Sequence, residues 1–161
     1  MILESYDDIF SDFDPRPYSE RALSDDFLNE CRKASIDKGY DLELRFLVPG
    51  RKRRATDEEH IRHRLMEHFQ KHFIQKEIEQ KAIKRQGWAW AIIGICMIFV
   101  AALISNFEGL INKFLLVVFE PGGWFTTWTG LDKIFSDAPR RMPEYKFYKK
   151  MASSQIIFNS C

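Results

Sequence analysis

The chain has 161 residues, with 24 basic and 23 acidic side chains and a formal net charge of +1 at neutral pH. This length predicts one domain with at most a small second unit, and the overall composition is that of a soluble protein. The three cysteines, Cys31, Cys96 and Cys161, are far apart and odd in number, which argues against a disulfide framework or a CxxC zinc site.

Residues 1–18 are rich in acidic side chains and contain Pro15 and Pro17. This composition predicts a flexible acidic N-terminus whose aromatic side chains can dock on a partner. The segment has no long apolar stretch of the kind that signal peptides contain. We therefore expect the polar N-terminal part of the protein to lie in the cytoplasm.

Residues 19–50 predict a helix followed by a strand. Ser24 can cap the helix, and the strand is indicated by alternation of charged residues with Leu42, Leu44 and Phe46. A single strand is not stable without a partner. The other short β-like run is at residues 153–158, so the strands near 41–48 and 153–158 are predicted to pair.

Residues 56–86 predict a long amphipathic stalk helix. It begins with a capping box, in which Thr56 is followed three residues later by Glu59. An apolar stripe then recurs every four positions and continues one step around the helix, at Ile61, Leu65, Phe69, Phe73, Ile74 and Ile78. The stripe drifts, unlike the strict heptad of a coiled coil. No proline occurs before Gly87, so the helix is predicted to continue into the next segment.

Residues 87–105 contain no charged side chain. As a helix they would be about 28 Å long, close to the thickness of a bilayer's hydrocarbon core. Trp88 and Trp90 stand at the start, where indole rings favour the membrane interface. The alternative is a buried helix of a soluble protein, but such a helix normally has a polar stripe. We expect a transmembrane helix.

A second apolar segment, residues 109–131, carries Lys113 and Glu120 and is interrupted at Pro121. Lys113 lies near one end, from which its side chain can reach the headgroups, whereas Glu120 lies near mid-depth. This segment is either a second span or a re-entrant or interfacial segment. Both flanks of residues 87–131 are basic, and short basic segments stay in the cytoplasm, which favours a two-span transmembrane hairpin.

Residues 132–161 then form a basic cytoplasmic tail that ends in the short strand. The predicted fold is a mainly α membrane protein, in which the stalk helix continues into a transmembrane helical hairpin beside a small α+β cytoplasmic part. The predicted location is the inner or plasma membrane, with two crossings and both termini in the cytoplasm.

Two sets of residues are functional candidates. An ionisable residue inside a span is a functional hypothesis by default, which selects Glu120 with the neighbouring helix break at Pro121 and with Lys113. The second set is the basic run Arg51, Lys52, Arg53 and Arg54, which can contact an anionic partner. No aromatic residues are interleaved with this run, so nucleic acid is not a predicted partner.

The histidines do not predict a metal site. His60, His63 and Glu67 share one face of the stalk helix at a spacing that can bind a metal, but Arg64 and Lys71 crowd that face. His68 and His72 lie at the edge of the apolar stripe, where packing is expected. The sequence also lacks the GxSxG, HExxH, P-loop and GxGxxG patterns, so neither a cofactor nor an enzymatic activity is predicted.

Three features recur between residues 107 and 151, FEGLINKFLLVVFEPGGWFTTWTGLDKIFSDAPRRMPEYKFYKKM. They are Glu108-Gly109-Leu110 at the start of the second span, Pro121 after a charged residue, and a basic-aromatic tail. With these features the chain resembles, over residues 41–158, a family of small uncharacterised prokaryotic membrane proteins. Members have a polar N-terminal domain, a strand, a long charged helix, a two-span hairpin and a short basic tail. Their residue before the proline is often basic, whereas here it is Glu120. The resemblance implies the architecture but no activity.

Two functions fit these predictions. The first is a non-enzymatic integral membrane protein that anchors a cytoplasmic unit, which binds a protein partner or self-associates. The alternative is an oligomeric pore or transport component with Glu120 in the membrane path. Both functions imply contact with the lipid bilayer and allow a homo-oligomer.

Overall fold

A computed structural model describes residues 1–36 and 42–160 of the protein. It is mostly helical, with helices α1 (Asp25–Ile36), α2 (Ala55–Ile104), α3 (Leu110–Asp132) and α4 (Ala138–Ala152), and with strands β1 (Glu43–Val48) and β2 (Gln155–Ser160). A π-helical segment, Lys133–Asp137, joins α3 to α4. The chain divides into two compact units, Met1–Lys76 with Glu144–Cys161, and Glu77–Pro143.

The predicted strand pairing is confirmed. β1 and β2 form a parallel pair in which Glu43 lies opposite Gln155 and Val48 lies opposite Ser160. Side chains of β1 alternate between buried and exposed, and the rings of Phe46 and Phe158 lie 5.3 Å apart on the buried face. Asp41, the first residue of the predicted strand, lies outside the described residues.

The prediction of a flexible N-terminus is corrected by the structure. Leu3, Tyr6, Ile9 and Phe10 belong to the core of the first unit, and the N–H of Leu3 donates to the carbonyl of Leu47 over 2.9 Å. The acidic residues lie between these apolar positions, so one side of the segment is apolar and the other is charged. An acidic composition therefore does not prevent the segment from packing.

Helix α1 confirms the helix that was predicted after Ser24, and it buries Phe27 and Cys31. Helix α2 begins at Ala55, one residue before the predicted start. The N–H of Glu58 donates to the carbonyl of Arg54 over 3.0 Å, so Thr56 lies inside the helix instead of capping it.

The apolar stripe of α2 is confirmed only over its first turns. Ile61, Leu65 and Phe69 are completely buried in the core of the first unit, and Phe73 packs against that core. Ile74, by contrast, is 54% exposed. The predicted stalk is therefore a core helix over these turns.

In the second unit, the later part of α2 and α3 pack antiparallel and are joined by residues 105–109. Gly109 has a φ of +142°, a conformation that L side chains rarely adopt, and this allows the chain to reverse direction. We call residues 87–132 the hairpin. Helix α3 runs through Pro121 without a break, whereas the sequence predicted an interruption there.

Pro121 lacks the N–H that would donate to the carbonyl of Val117, and a helix can continue through such a proline when it packs against a neighbouring helix. In the turns that follow Pro121, the hydroxyls of Thr126 and Thr127 donate to the carbonyls of Gly122 and Gly123 over 2.6 and 2.8 Å. The segment after residue 132 also differs from the predicted tail, because α4 precedes the short strand.

Candidate functional site

Glycine residues line the contact between the two helices of the hairpin. A Cβ atom placed on Gly130 would lie 2.6 Å from the carbonyl oxygen of Gly87 and 2.9 Å from the Cα of Ala91. A Cβ on Gly94 would lie 2.6 Å from the carbonyl oxygen of Gly123. The two backbones therefore touch along a seam of small residues, which is how helices associate tightly in membranes.

The side chains that point away from this seam are large and apolar. Trp88 is 59% exposed, Phe125 is 76% exposed and Trp128 is 70% exposed. We call this surface the apolar belt, and its exposed members include Ile92, Ile93, Ile95, Phe99, Leu103, Ile111, Phe114, Val117 and Trp124. The hairpin thus buries its smallest residues and exposes its largest apolar ones, which is the reverse of the arrangement in a water-soluble protein.

Within the described part of the chain, one helix is long and apolar enough to cross a membrane. That helix is α2, whose most apolar stretch of 18 residues has a mean hydropathy of 2.3. Only 22% of that stretch is buried within the chain, whereas the first turns of α2 belong to the core of the first unit. Helix α3 has the length but carries Lys113, Glu120 and three threonines, which lower its hydropathy.

Glu120, Pro121 and Lys113 all lie on the exposed surface of α3. Glu120 is about 15 Å along the helix from its first residue, close to its midpoint. No residue in the described ranges forms an ion pair or hydrogen bond with the Glu120 carboxylate. Lys113 lies in the first turn of α3, about 10 Å along the axis from Glu120, so the structure does not bring the two charges together.

Two of the four residues of the predicted basic run, Lys52 and Arg53, make contacts inside the first unit. Arg53 forms a two-pronged ion pair with Glu58, at 2.8 and 3.0 Å, and donates to the carbonyl of Phe158 at 3.2 Å. The Lys52 amine donates to the carbonyl of Glu4 at 2.9 Å. These contacts leave Arg51 and Arg54 as the exposed guanidinium groups available to an anionic partner.

The ion pair of Arg53 and Glu58 belongs to a network that sequence reasoning missed. The hydroxyl of Tyr6 donates to Glu58 over 2.9 Å and accepts the backbone N–H of Arg54 over 3.1 Å. The hydrogen bond from Arg53 is the main cause that lowers the pKa of the Glu58 carboxyl. Burial is the main cause that raises the pKa of Tyr6. The network ties the N-terminal segment to the start of α2.

The four histidines divide into two pairs. His60 and His63 are exposed, whereas His68 and His72 pack against each other with ring centroids 4.3 Å apart. The His72 ring stacks on Tyr148 at 5.1 Å, and the Nε2 of His68 is buried without a hydrogen-bond partner among the described residues. Burial is the main cause that lowers the pKa of His68, to about 4. Burial also lowers the pKa of His72, so both rings favour the neutral form.

The described ranges bring together no group of three or more His, Cys, Asp or Glu side chains that could hold a metal ion. Cys31 is buried, and burial raises the pKa of its thiol to about 12. Cys96 is exposed on the apolar belt, and Cys161 lies outside the described residues. Neither described thiol is paired with a base in the manner of a catalytic nucleophile.

Comparisons with protein-family models, with curated proteins and with solved structures find no match to this chain.

Proposed function

We propose that this chain is a non-enzymatic integral membrane protein. Its hairpin crosses the inner or plasma membrane twice, and its first unit binds a cytoplasmic protein partner or a second copy of the chain. The observation that carries the proposal is the apolar belt around a glycine seam. In water that belt would be an aggregation surface, whereas in a bilayer it faces a solvent of matching polarity.

The two-span topology is supported by the antiparallel packing within the second unit. Because Gly87 contacts Gly130, and because Gln80 donates to the carbonyl of Ala138 over 3.1 Å, residues 77–86 and 132–143 lie at the same end of the hairpin. This end is basic, with Lys84, Arg85 and Lys133, whereas the connection at residues 105–109 has one charge, that of Glu108. The bias of basic residues toward the cytoplasm favours both chain ends inside.

Cysteine labelling in intact cells tests this topology. The native thiols are unsuited to it because Cys31 is buried and Cys96 lies on the apolar belt. Single cysteines are therefore placed at exposed positions on a background without reactive thiols, as Ser19→Cys, Asn106→Cys and Lys146→Cys. An impermeant maleimide should label Asn106→Cys in intact cells and the other two variants only after the cells are opened.

Two outcomes of that experiment contradict the proposal. Labelling of Lys146→Cys from outside would mean a single crossing, and protection of Asn106→Cys in intact cells would mean that the connection does not cross the membrane. Opening the cells supplies the positive control for each variant, because all three positions are exposed in the structure.

The binding role of the first unit is tested by self-association. Detergent-solubilised chain should sediment as an oligomer, or should retain a cytoplasmic protein through chemical cross-linking. A monomer that retains no protein would contradict a binding or self-associating role while leaving the membrane topology intact. The resemblance to the prokaryotic two-span family remains a prediction of the same architecture.

A second function is favoured by Glu120. An exposed carboxylate near the middle of α3 is unfavourable against lipid, by about 2.5–3.5 kcal/mol on insertion scales, unless it faces protein or water. In the alternative function, several hairpins surround a pore and Glu120 faces its lumen. Glu120→Gln should then change ion flux into liposomes, with Glu108→Gln as the matched control in the connection. Absence of flux through the wild-type protein would contradict this function.

A further inference from the structure

Three cationic side chains lie near one level of the hairpin, at the end where α2 enters and α3 leaves. A Cβ atom on Gly87 would lie 2.9 Å from the carbonyl oxygen of Gly130 and 2.7 Å from Cγ1 of Ile134. These contacts place Gly87 beside the last turn of α3 and the π-helical segment that follows. Lys84 and Arg85 precede Gly87 by less than one turn, and Lys133 adjoins Ile134. We call Lys84, Arg85 and Lys133 the basic collar.

The side chains of the basic collar form no close pair within the described part of the chain, and Asp132, which adjoins Lys133 in the sequence, forms no ion pair with it. None of its three side chains forms an ion pair or hydrogen bond with a described residue. Neighbouring cations differ, because Lys81 pairs with Glu77 at 2.9 Å and the guanidinium of Arg141 lies 3.9 Å from Glu79. The collar is therefore available to an anion outside the chain.

The position of the collar indicates which anion this is. Trp88 and Trp90 follow it directly and are exposed, and the exposed Trp128 lies on the adjoining turns of α3. Indole rings favour the boundary between hydrocarbon and headgroups, so the collar lies at the level of the phosphate groups when the hairpin is inserted. Lipid surrounds a hairpin on all sides, and the three cations therefore need not share one face.

We propose that the basic collar binds the headgroups of anionic phospholipids in the leaflet that it contacts. This proposal rests on the proposed insertion of the hairpin. Ammonium and guanidinium groups donate to phosphate oxygens, and an anionic lipid adds a net negative charge that a zwitterionic lipid lacks. The opposite end of the hairpin has Glu108 and Lys113, which provide no comparable excess of positive charge.

Quenching of tryptophan fluorescence by brominated lipids tests the proposal on the full chain. The protein is placed in nanodiscs of phosphatidylcholine that contain either brominated phosphatidylglycerol or brominated phosphatidylcholine, and the relative association constant is measured. We expect about a 5-fold preference for the anionic lipid, the factor that corresponds to about 1 kcal/mol of attraction. The preference should fall as the salt concentration rises from about 0.1 to 0.5 M, because exposed charges are screened.

The matched variants are a triple substitution, Lys84→Gln with Arg85→Gln and Lys133→Gln, and a control, Lys113→Gln, at the other end of α3. The triple variant should show almost no preference, and the control should keep most of it. Circular dichroism verifies that helicity is unchanged in both variants. The salt series tests the proposal on the wild type even if the triple variant does not fold.

The possible outcomes distinguish failure of the anionic-lipid site from failure of the proposed insertion of the hairpin. Equal quenching by the two lipids, or an unchanged preference in the triple variant, would overturn the anionic-lipid site while leaving insertion intact. A wild-type preference that does not respond to salt would also overturn it. If neither brominated lipid quenches the tryptophans, the hairpin is not in the bilayer and the proposed function itself fails.

Discussion

The glycine seam can be tested by adding a single methyl group. In Gly130→Ala the new Cβ would lie 2.6 Å from the Gly87 carbonyl oxygen and 2.9 Å from the Ala91 Cα. Both atoms are backbone, so a side-chain rotation cannot relieve the overlap and the helices must separate. Overpacking of this kind typically destabilises a protein by about 1–3 kcal/mol.

Gly122→Ala is the matched control for this substitution. Both glycines lie inside α3, so both substitutions increase helix propensity by a similar amount, about 1 kcal/mol. The Cβ on Gly122 would meet the terminal Cε of Met97 at 3.1 Å, and that flexible side chain can move away. The difference in stability between the two variants therefore isolates the seam.

The assay is unfolding of the full chain in mixed micelles with increasing dodecyl sulfate, followed by circular dichroism. We expect Gly130→Ala to be less stable than Gly122→Ala by about 1–3 kcal/mol. Equal stability of the two variants would refute the close packing of α2 against α3. A Gly130→Ala variant that is more stable than the control would refute it as well.

Three further predictions concern the first unit. Burial and nearby cations lower the pKa of His68 from 6.5 to about 4, so the unfolded chain takes up the proton at a higher pH than the folded chain. The free energy of unfolding should therefore decrease as the pH falls from about 6.5 to about 4. Chemical denaturation of His68→Phe should show a flatter dependence of this free energy on pH. Tyr6→Phe removes a hydrogen bond to the charged Glu58 and should lower the free energy of unfolding by about 1.5–3 kcal/mol. The control Tyr145→Phe should change this free energy by less than about 0.5 kcal/mol. Equal losses in the two variants would contradict the network of Tyr6, Arg53 and Glu58. Burial raises the pKa of Cys31 to about 12, so a thiol reagent at a pH near 8 should label it only in denaturant, and labelling of the folded chain would show that the N-terminal core opens.

Much of the fold follows from local sequence patterns. The alternation of Leu42, Leu44 and Phe46 predicted a strand, and the run at residues 153–158 was the obvious partner, which the parallel pair confirms. The periodic placement of Ile61, Leu65 and Phe69 predicted the buried stripe of α2. These patterns are local because each one depends on the spacing of apolar residues along a single helix or strand.

The N-terminal segment shows where composition fails. Its acidic residues predicted flexibility, but the core accepts Ile9 and Phe10 because the intervening charges point outward. Whether such a segment packs depends on a surface made by other elements, here the strand that receives Leu3. The local sequence of the segment does not reveal that surface.

The basic run shows the same limit for functional residues. Four consecutive cations predicted an anionic partner, yet Arg53 pairs with Glu58 and reaches Phe158, which is far away in the sequence. The sequence placed basic flanks at one end of the predicted hairpin, but the contacts of Gly87 with Gly130 and Ile134 are what put Lys84, Arg85 and Lys133 near one level. Glu120, in contrast, was identifiable from the sequence because it is the only acidic residue within the second apolar segment before Asp132.

The central claim is that the hairpin lies in a bilayer, and alkaline carbonate extraction of cell membranes tests it most directly. Carbonate releases proteins that are held by charge at the membrane surface and leaves inserted helices in the lipid pellet. The account predicts that the full chain stays in the pellet and is released only by detergent. Recovery of the chain in the carbonate supernatant, soluble without detergent, would contradict it.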